Sequence, residues 1–177
     1  MTAGRKVNSI SRNWCTPTKY VAAVREMFGV VHLDPCSNAD SIVNANVSYC
    51  LPQDGLIESW VFPTIYVNPP YGADRERGTT IKDWLRKCVM ANQLYNSQVL
   101  TLIPVATNTS HWKEYIWNHA CAVCFLADTR LKFRVGGDEN GKGAPMACAM
   151  VYWGGDYQKF AQIFDKFGAV IRIDNNC

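Results

Sequence analysis

The run Thr64-Ile65-Tyr66-Val67 is β-branched or aromatic at every position, and two prolines in Asn68-Pro69-Pro70-Tyr71 cut it off at once. Such a run reads as a buried strand, and a Pro-Pro pair at its carboxyl end freezes the backbone so that Asn68 and Tyr71 project in set directions. Open α/β sheets bind ligands outside the carboxyl ends of their strands. The tetrapeptide is therefore a candidate site for a planar, hydrogen-bonding substrate, and its neighbours decide whether it is more than a turn.

Those neighbours alternate between helical and strand patterns. Thr16 as N-cap, Pro17 at the first helical position, the stripe Tyr20, Val21, Val24, Met27 and Phe28, and the stop at Gly29 predict a helix. Val30 to Leu33 predicts a short strand ending at Asp34-Pro35. Ser37 to Gly55 reads as loop with one short strand near Val47 to Cys50, and Glu58 to Val61 as a turn or short helix. Thr80 with Asp83 forms a capping-box signature for a helix that runs to about Tyr95 along Ile81, Trp84, Leu85, Cys88 and Val89. Val99 to Pro104, a short helix after Thr107 to Ser110, and Cys121 to Leu126 continue the alternation. Leu131 to Phe133, a glycine-rich loop at Gly136 to Gly143, and Met146 to Trp153 predict an antiparallel hairpin. Asp156 caps a last helix, which Gly168 stops before the strand Val170 to Ile173. The expected fold class is α/β, a mostly parallel twisted sheet with a C-terminal antiparallel hairpin.

A length of 177 residues fits one domain over 13–177, preceded by a flexible tail over 1–12. With 48% hydrophobic and 19% charged residues the composition is that of a globular protein. No apolar stretch approaches the roughly 20 residues needed to span a bilayer, so no membrane partner is expected. The polar start, with Arg5, Lys6 and Arg12, indicates neither a signal peptide nor a lipid anchor, and a cytoplasmic location is the expectation. A net charge of +3 permits a polyanionic partner without requiring one. The eight cysteines are scattered and read as free thiols. Cys121 and Cys124, three apart on a strand, are expected to face opposite sides of the sheet, and no metal site is expected. His32, His111 and His119 show no catalytic or metal-like pairing and read as structural or surface residues.

The ordered set Thr16-Pro17, Leu33-Asp34-Pro35-Cys36-Ser37-Asn38, Asp54-Gly55-Leu56, Asn68-Pro69-Pro70-Tyr71-Gly72, Leu102-Ile103-Pro104 and Thr107-Asn108-Thr109 resembles the phage-type DNA adenine-N6 methyltransferases over roughly residues 13–153. The resemblance implies a Rossmann-like methyltransferase fold, S-adenosyl-L-methionine as cofactor, DNA as partner, and methyl transfer to the exocyclic N6 amine of a flipped adenine. It assigns the catalytic positions to Asn68, Pro69, Pro70 and Tyr71. Chemically, the Asn68 amide oxygen and the Pro69 carbonyl accept the two N–H bonds of a poorly nucleophilic amine, and Tyr71 offers a face on which a base can stack. Thr16, Pro17, Asp34, Pro35, Cys36, Asn38, Asp54 and Gly55 fall on the cofactor side. Asp34 would meet the methionine ammonium, Asp54 the cofactor's adenine amine, and Thr16 at a helix N-terminus the methionine carboxylate.

Two departures from the usual pattern stand out. Cys36-Ser37-Asn38 replaces the glycine-rich loop that usually follows the first strand, and the short span from Asp34 to Asn68 predicts a sheet abbreviated on that side, with Asn44 or Asn46 near the cofactor ribose. No separate target-recognition domain fits, so recognition is expected from the loop Gly72 to Thr79, mobile and charge-mixed, and from the hairpin with Arg130, Lys132, Arg134 and Lys142. Arg86 and Lys87 read as the wet face of their helix, and Trp14 and Trp60 as core or lid packing. Tyr71's motif also occurs in protein glutamine methyltransferases. That activity, and a non-catalytic nucleic-acid-binding subunit with the same fold, are the rival readings.

Overall fold

Local pattern and long-range pairing meet first in the helix α1 (Thr18–Phe28), whose buried stripe is Tyr20, Val21, Ala23, Val24 and Met27. Burying each large member of that stripe contributes about 1.5–3 kcal/mol. Gly29 closes the helix at φ 70°, a left-handed value that favours glycine. The computed structural model describes residues 14–128, 130–138, 144, 146–174 and 177. The expected tail over 1–12, Lys142 and the glycine-rich loop beyond Asp138 lie outside these residues.

After α1 come β1 (Leu33–Asp34), β2 (Val47–Ser48), β3 (Thr64–Val67), α2 (Ile81–Tyr95) and β4 (Gln98–Pro104). A π-helical segment (Trp112–Trp117), β5 (Ala122–Leu126), β6 (Cys148–Trp153), α3 (Tyr157–Phe164), a 3-10 turn (Asp165–Phe167) and β7 (Gly168–Arg172) complete the order. The seven strands form one sheet in the order β2-β1-β3-β4-β6-β5-β7.

Only half of this sheet is parallel. β2, β1, β3 and β4 pair in parallel, whereas the pairings β4–β6, β6–β5 and β5–β7 are antiparallel. The expected hairpin strand is therefore an interior strand: β6 returns from β5 and inserts between it and β4. Between β1 and β3 the chain makes one two-residue strand and no helix among the described residues, and Glu58 to Val61 forms no helix.

Each face of the sheet is covered. On one side Tyr66, Leu100, Leu102, Met150 and Tyr152 pack with the α1 stripe and with Phe160 and Phe164 of α3. On the other, Ile65, Val67, Val99, Ile103 and Val151 pack with Trp84 and Leu85 of α2 and with Trp112 and Ile116. Alternate residues of β3 and β4 thus enter different cores, which is why Thr64 to Val67 carries no wet face.

The helix signals hold at α2 and α3. The Asp83 carboxylate accepts the Thr80 backbone N–H at 2.9 Å, and the Asp156 carboxylate accepts that of Lys159 at 2.9 Å. At the start of α1 the signal shifts by one residue. Pro17 occupies the cap position, and the Thr16 hydroxyl pairs with the Tyr66 hydroxyl at 2.7 Å, so Thr16 is not the side-chain cap.

The cysteines need two corrections. Cys121 and Cys177 form a disulfide, so they are not free thiols. Cys121 also precedes β5, so strand alternation does not apply to it, and it shares one apolar layer with Cys124. No helix is long and apolar enough to cross a membrane among the described residues.

Candidate functional site

The parallel register Leu33↔Ile65 makes Asp34-Pro35-Cys36 and Asn68-Pro69-Pro70 leave the sheet side by side at one edge. The Cys36 thiol, pushed up chiefly by burial and next by Asp34, sits against the Asn68 backbone N–H. The Asn68 side chain is oriented by a partner from far away in sequence: its Nδ2 donates to the Trp14 carbonyl at 3.0 Å. Only the N–H side of the amide can face a carbonyl, so Oδ1 is turned the other way, and it has no partner among the described residues.

Trp14 belongs to a short strap that ties three parts of the site together. Cys15 exchanges backbone hydrogen bonds with Arg134 at 2.9 Å each, and its thiol donates to Asn38 Oδ1 at 3.1 Å. Thr16 is buried beneath the end of β3 on Tyr66. The strap therefore joins the Asn38 loop, the Asn68 turn and the segment around Arg134. Sequence reading places Trp14 as packing only, and no local periodicity marks these contacts.

Tyr71 is held at both ends. Its hydroxyl donates to the Leu102 carbonyl at 2.9 Å, and burial holds the phenol far above its ordinary range. Its ring stands nearly perpendicular to Trp14 (6.5 Å, 85°) and Phe133 (5.5 Å, 74°), which stack on one another at 5.0 Å. An aromatic trio from three separate segments thus borders the Asn68 turn.

On the neighbouring strand, Asp34 is a nearly fully buried carboxylate, only 4% exposed. Its oxygens accept long hydrogen bonds from the Cys36 N–H and the Ser41 hydroxyl, both at 3.3 Å. Burial dominates, and although Ser37, Cys36 and Ser41 oppose it, the carboxyl is raised to about 6. No cation faces it among the described residues. Asn38 caps its own loop, accepting the Asp40 N–H at 2.9 Å.

Asp54 and Gly55 lie on a second loop pressed against the first. A Cβ at Gly55 would stand 1.8 Å from the Pro35 carbonyl oxygen, so only glycine allows this close approach. Asp54 Oδ1 accepts the Leu56 N–H at 2.9 Å, and the buried Trp60 donates its indole N–H to the Gly55 carbonyl at 2.8 Å. Lys87 is not a wet-face residue. Its ammonium donates to the carbonyls of Gly55 (3.2 Å), Leu56 (3.0 Å) and Glu58, and lies over the Trp60 ring at 5.2 Å.

The loop after the Asn68 turn reaches the same place. Asp74 and Thr79 pair across it at 2.8 and 3.1 Å, and the Asp74 carboxylate accepts the N–H groups of Glu76 and Arg77. From this closed turn Arg77 forms a two-point ion pair with Asp54, its Nε donating to Oδ2 at 3.1 Å and its Nη2 meeting Oδ1. Burial works against the Asp54 charge, but Arg77, the Leu56 N–H and Lys87 outweigh it and hold the carboxyl below its usual range.

The remaining candidates are more scattered. Asn44 and Asn46 are exposed on the segment entering β2. Arg130 and Lys132 are exposed and line a cleft with Pro17, Thr18, Lys19 and Asp128 at the start of α1. Arg134 is drawn inward by its pairing with Cys15. Gly136 and Gly137 turn the arm at φ 58° and 83°, with Val135 and Asp138 paired across them. His32 bonds Thr64 at 2.7 Å and His111 bonds Thr109 at 3.2 Å, consistent with structural roles.

A family model described as DNA N-6-adenine-methyltransferase (Dam) matches residues 5–171 of the chain. No curated protein and no solved structure matches it significantly.

Proposed function

The chain belongs to the DNA N-6-adenine-methyltransferase (Dam) family, and from that premise we propose that it methylates the exocyclic N6 amine of adenine in DNA, with the target base rotated out of its duplex. The reading assigns the work to one domain over residues 13–177. The observation that carries it is the orientation of Asn68: the Trp14 carbonyl takes the amide N–H, which leaves Oδ1 to accept a hydrogen from an incoming amine. The Pro69 carbonyl, one residue on and incapable of joining a ladder through its own nitrogen, is the partner acceptor for the second hydrogen.

The cofactor side fits S-adenosyl-L-methionine. A buried carboxylate with no cation beside it, as Asp34 is among the described residues, is a poor structural element and a good receptor for an ammonium group. Asp54, on the loop pressed against Pro35, is the acceptor for the cofactor's adenine amine. When bound, the cofactor supplies a sulfonium methyl electrophile. Asn68 Oδ1 and the Pro69 carbonyl would hold the amine so that its lone pair leaves the ring plane and is available for attack. The aromatic trio Tyr71, Trp14 and Phe133 supports the extruded base by stacking, worth about 1–3 kcal/mol elsewhere. Attack on the methyl carbon would break its bond to sulfur, which would keep the bonding pair and leave as a neutral thioether, while the methylated amine would give one of its two held protons to water, so no strong base is needed. Arg130 and Lys132 serve as phosphate contacts outside the pocket.

The deciding experiment incubates the purified protein with labelled S-adenosylmethionine and unmethylated DNA and analyses the nucleosides by mass spectrometry. N6-methyladenine from the wild type and its loss in Asn68→Ala support the reading. Absence of product, or undiminished product from the variant, overturns it.

A further inference from the structure

The acidic residue that the proposed function gives to the cofactor's adenine amine is already occupied by an arginine of this chain. Arg77 presents Nε and Nη2 to both oxygens of Asp54, and Oδ1 also accepts the Leu56 N–H at 2.9 Å. An amine donor arriving at Asp54 meets a carboxylate edge whose approach is filled by a planar guanidinium. Both partners are largely shielded, with side-chain exposures of 20% for Arg77 and 19% for Asp54, so this is not a loose surface pair.

The position of Arg77 gives the pair a second meaning. It stands in the Gly72 to Thr79 loop, directly after Asn68-Pro69-Pro70-Tyr71, and that loop has internal bonds that keep its shape without Asp54. Asp74 and Thr79 bridge it, and Asp74 caps the N–H groups of Glu76 and Arg77. The turn can therefore swing as a unit once Arg77 lets go. Asp54, in contrast, is braced from behind: Lys87 gathers the carbonyls of Gly55, Leu56 and Glu58, and Gly55 abuts Pro35. One side of the ion pair is anchored and the other is movable.

We propose that Arg77 is a latch: it holds the loop beside the acceptor turn closed on Asp54, and the cofactor's adenine amine displaces it, freeing the loop for the DNA side of the site. This rests on the reading of Asp54 as the adenine acceptor. It makes cofactor binding and loop release one coupled step, with the cofactor bound before DNA.

The test is calorimetric titration of S-adenosylmethionine into wild type, Arg77→Gln and Asp54→Asn, each checked by thermal melting for a native-like transition. The latch predicts about tenfold tighter binding by Arg77→Gln, since a competitor is removed, and about tenfold weaker binding by Asp54→Asn. Trypsin supplies a second readout on the unmodified protein: cleavage after Arg75 accelerates when saturating cofactor is added. If Asp54→Asn weakens binding but Arg77→Gln binds no tighter, or if cofactor protects Arg75, the latch is overturned while the site stands. If Asp54→Asn binds like wild type, the adenine assignment itself fails and the latch fails with it.

Discussion

Asn68 Nδ2 donates to the backbone carbonyl of Trp14 at 3.0 Å across 54 residues of sequence, and this one bond decides which way the Asn68 amide faces. An isolated asparagine side chain presents either edge. Here the carbonyl of the strap forbids one of them, and the acceptor oxygen is set before any ligand arrives, the preorganisation that positional catalysis needs.

Asn68→Ala is expected to lose methyl transfer by about 10²-fold or more, the order seen when a preorganised polar contact to a reacting group is removed. Cofactor affinity should be unchanged within about twofold, because the proposed reading sets Asn68 against the acceptor amine rather than the cofactor. Single-turnover kinetics beside calorimetry separate the two effects.

On the proposed reading, the pH dependence of cofactor binding follows from Asp34. Burial raises its carboxyl from the ordinary 3.8 to about 6, so ionisation is penalised in the folded protein, and the stability present below the ordinary value is lost as pH rises from there through about 6. A bound ammonium reverses that penalty by favouring the charged form. Affinity should therefore be flat above pH about 7 and fall below 6, approaching about tenfold per pH unit as binding requires release of the proton. Asp34→Asn should bind weakly at every pH and show no such slope. Calorimetry between pH 5 and 8, in two buffers of different ionisation enthalpy, reads both the slope and the proton release.

Gly55→Ala tests the contact between the Gly55 loop and the Pro35 loop. The added Cβ would stand 1.8 Å from Pro35 O and 2.8 Å from its carbonyl carbon, backbone atoms that cannot rotate aside. A loss of about 1–3 kcal/mol in urea unfolding is expected, the usual range for forced overpacking, together with weakened cofactor binding. Native stability and affinity in the variant would show that the two loops are not in contact.

Lys87→Met keeps the aliphatic stem and removes the ammonium that binds the carbonyls of Gly55, Leu56 and Glu58. Stability should fall by about 1.5–3 kcal/mol, the range for a hydrogen bond to a charged group. Cofactor affinity should fall with it, because Asp54 opens that loop. Arg86→Met, on an exposed neighbour, is the comparison and should be near neutral.

The Cys121–Cys177 disulfide predicts a thiol count. Unfolded without reductant, the protein should expose the six free cysteines Cys15, Cys36, Cys50, Cys88, Cys124 and Cys148. Reduction should raise the count to the eight that the sequence holds. Alkylation followed by intact-mass measurement distinguishes six from eight directly.

Much of the framework was legible because it depends on near neighbours. The stripe Tyr20, Val21, Val24 and Met27, the Thr80–Asp83 box and the strand Thr64 to Val67 all lie where periodicity and capping place them. The short strand near Val47 lies where it was expected, within a segment read otherwise as loop. The misreadings are of another kind. Lys87 looked like a solvated cation because helical spacing says nothing about the loop that folds over it. Thr16 looked like a cap because its partner, Tyr66, lies 50 residues away. The antiparallel C-terminal part was expected as a hairpin, but the insertion of β6 between β4 and β5 was not, because β5 has the same local pattern whether β4 or β6 lies beside it.

By itself, then, the sequence determined the repertoire: an α/β chain, a rigid turn of Asn68, Pro69, Pro70 and Tyr71, and acidic residues at Asp34 and Asp54, all local consequences of side-chain type and spacing. The tertiary structure alone decided how those groups are aimed. Trp14 turns the Asn68 amide, Lys87 and Pro35 brace the Asp54 loop, and Arg77 closes on Asp54. A carbonyl, an ammonium and a guanidinium act through contacts of a few ångströms, and only folding brings such distant residues that close.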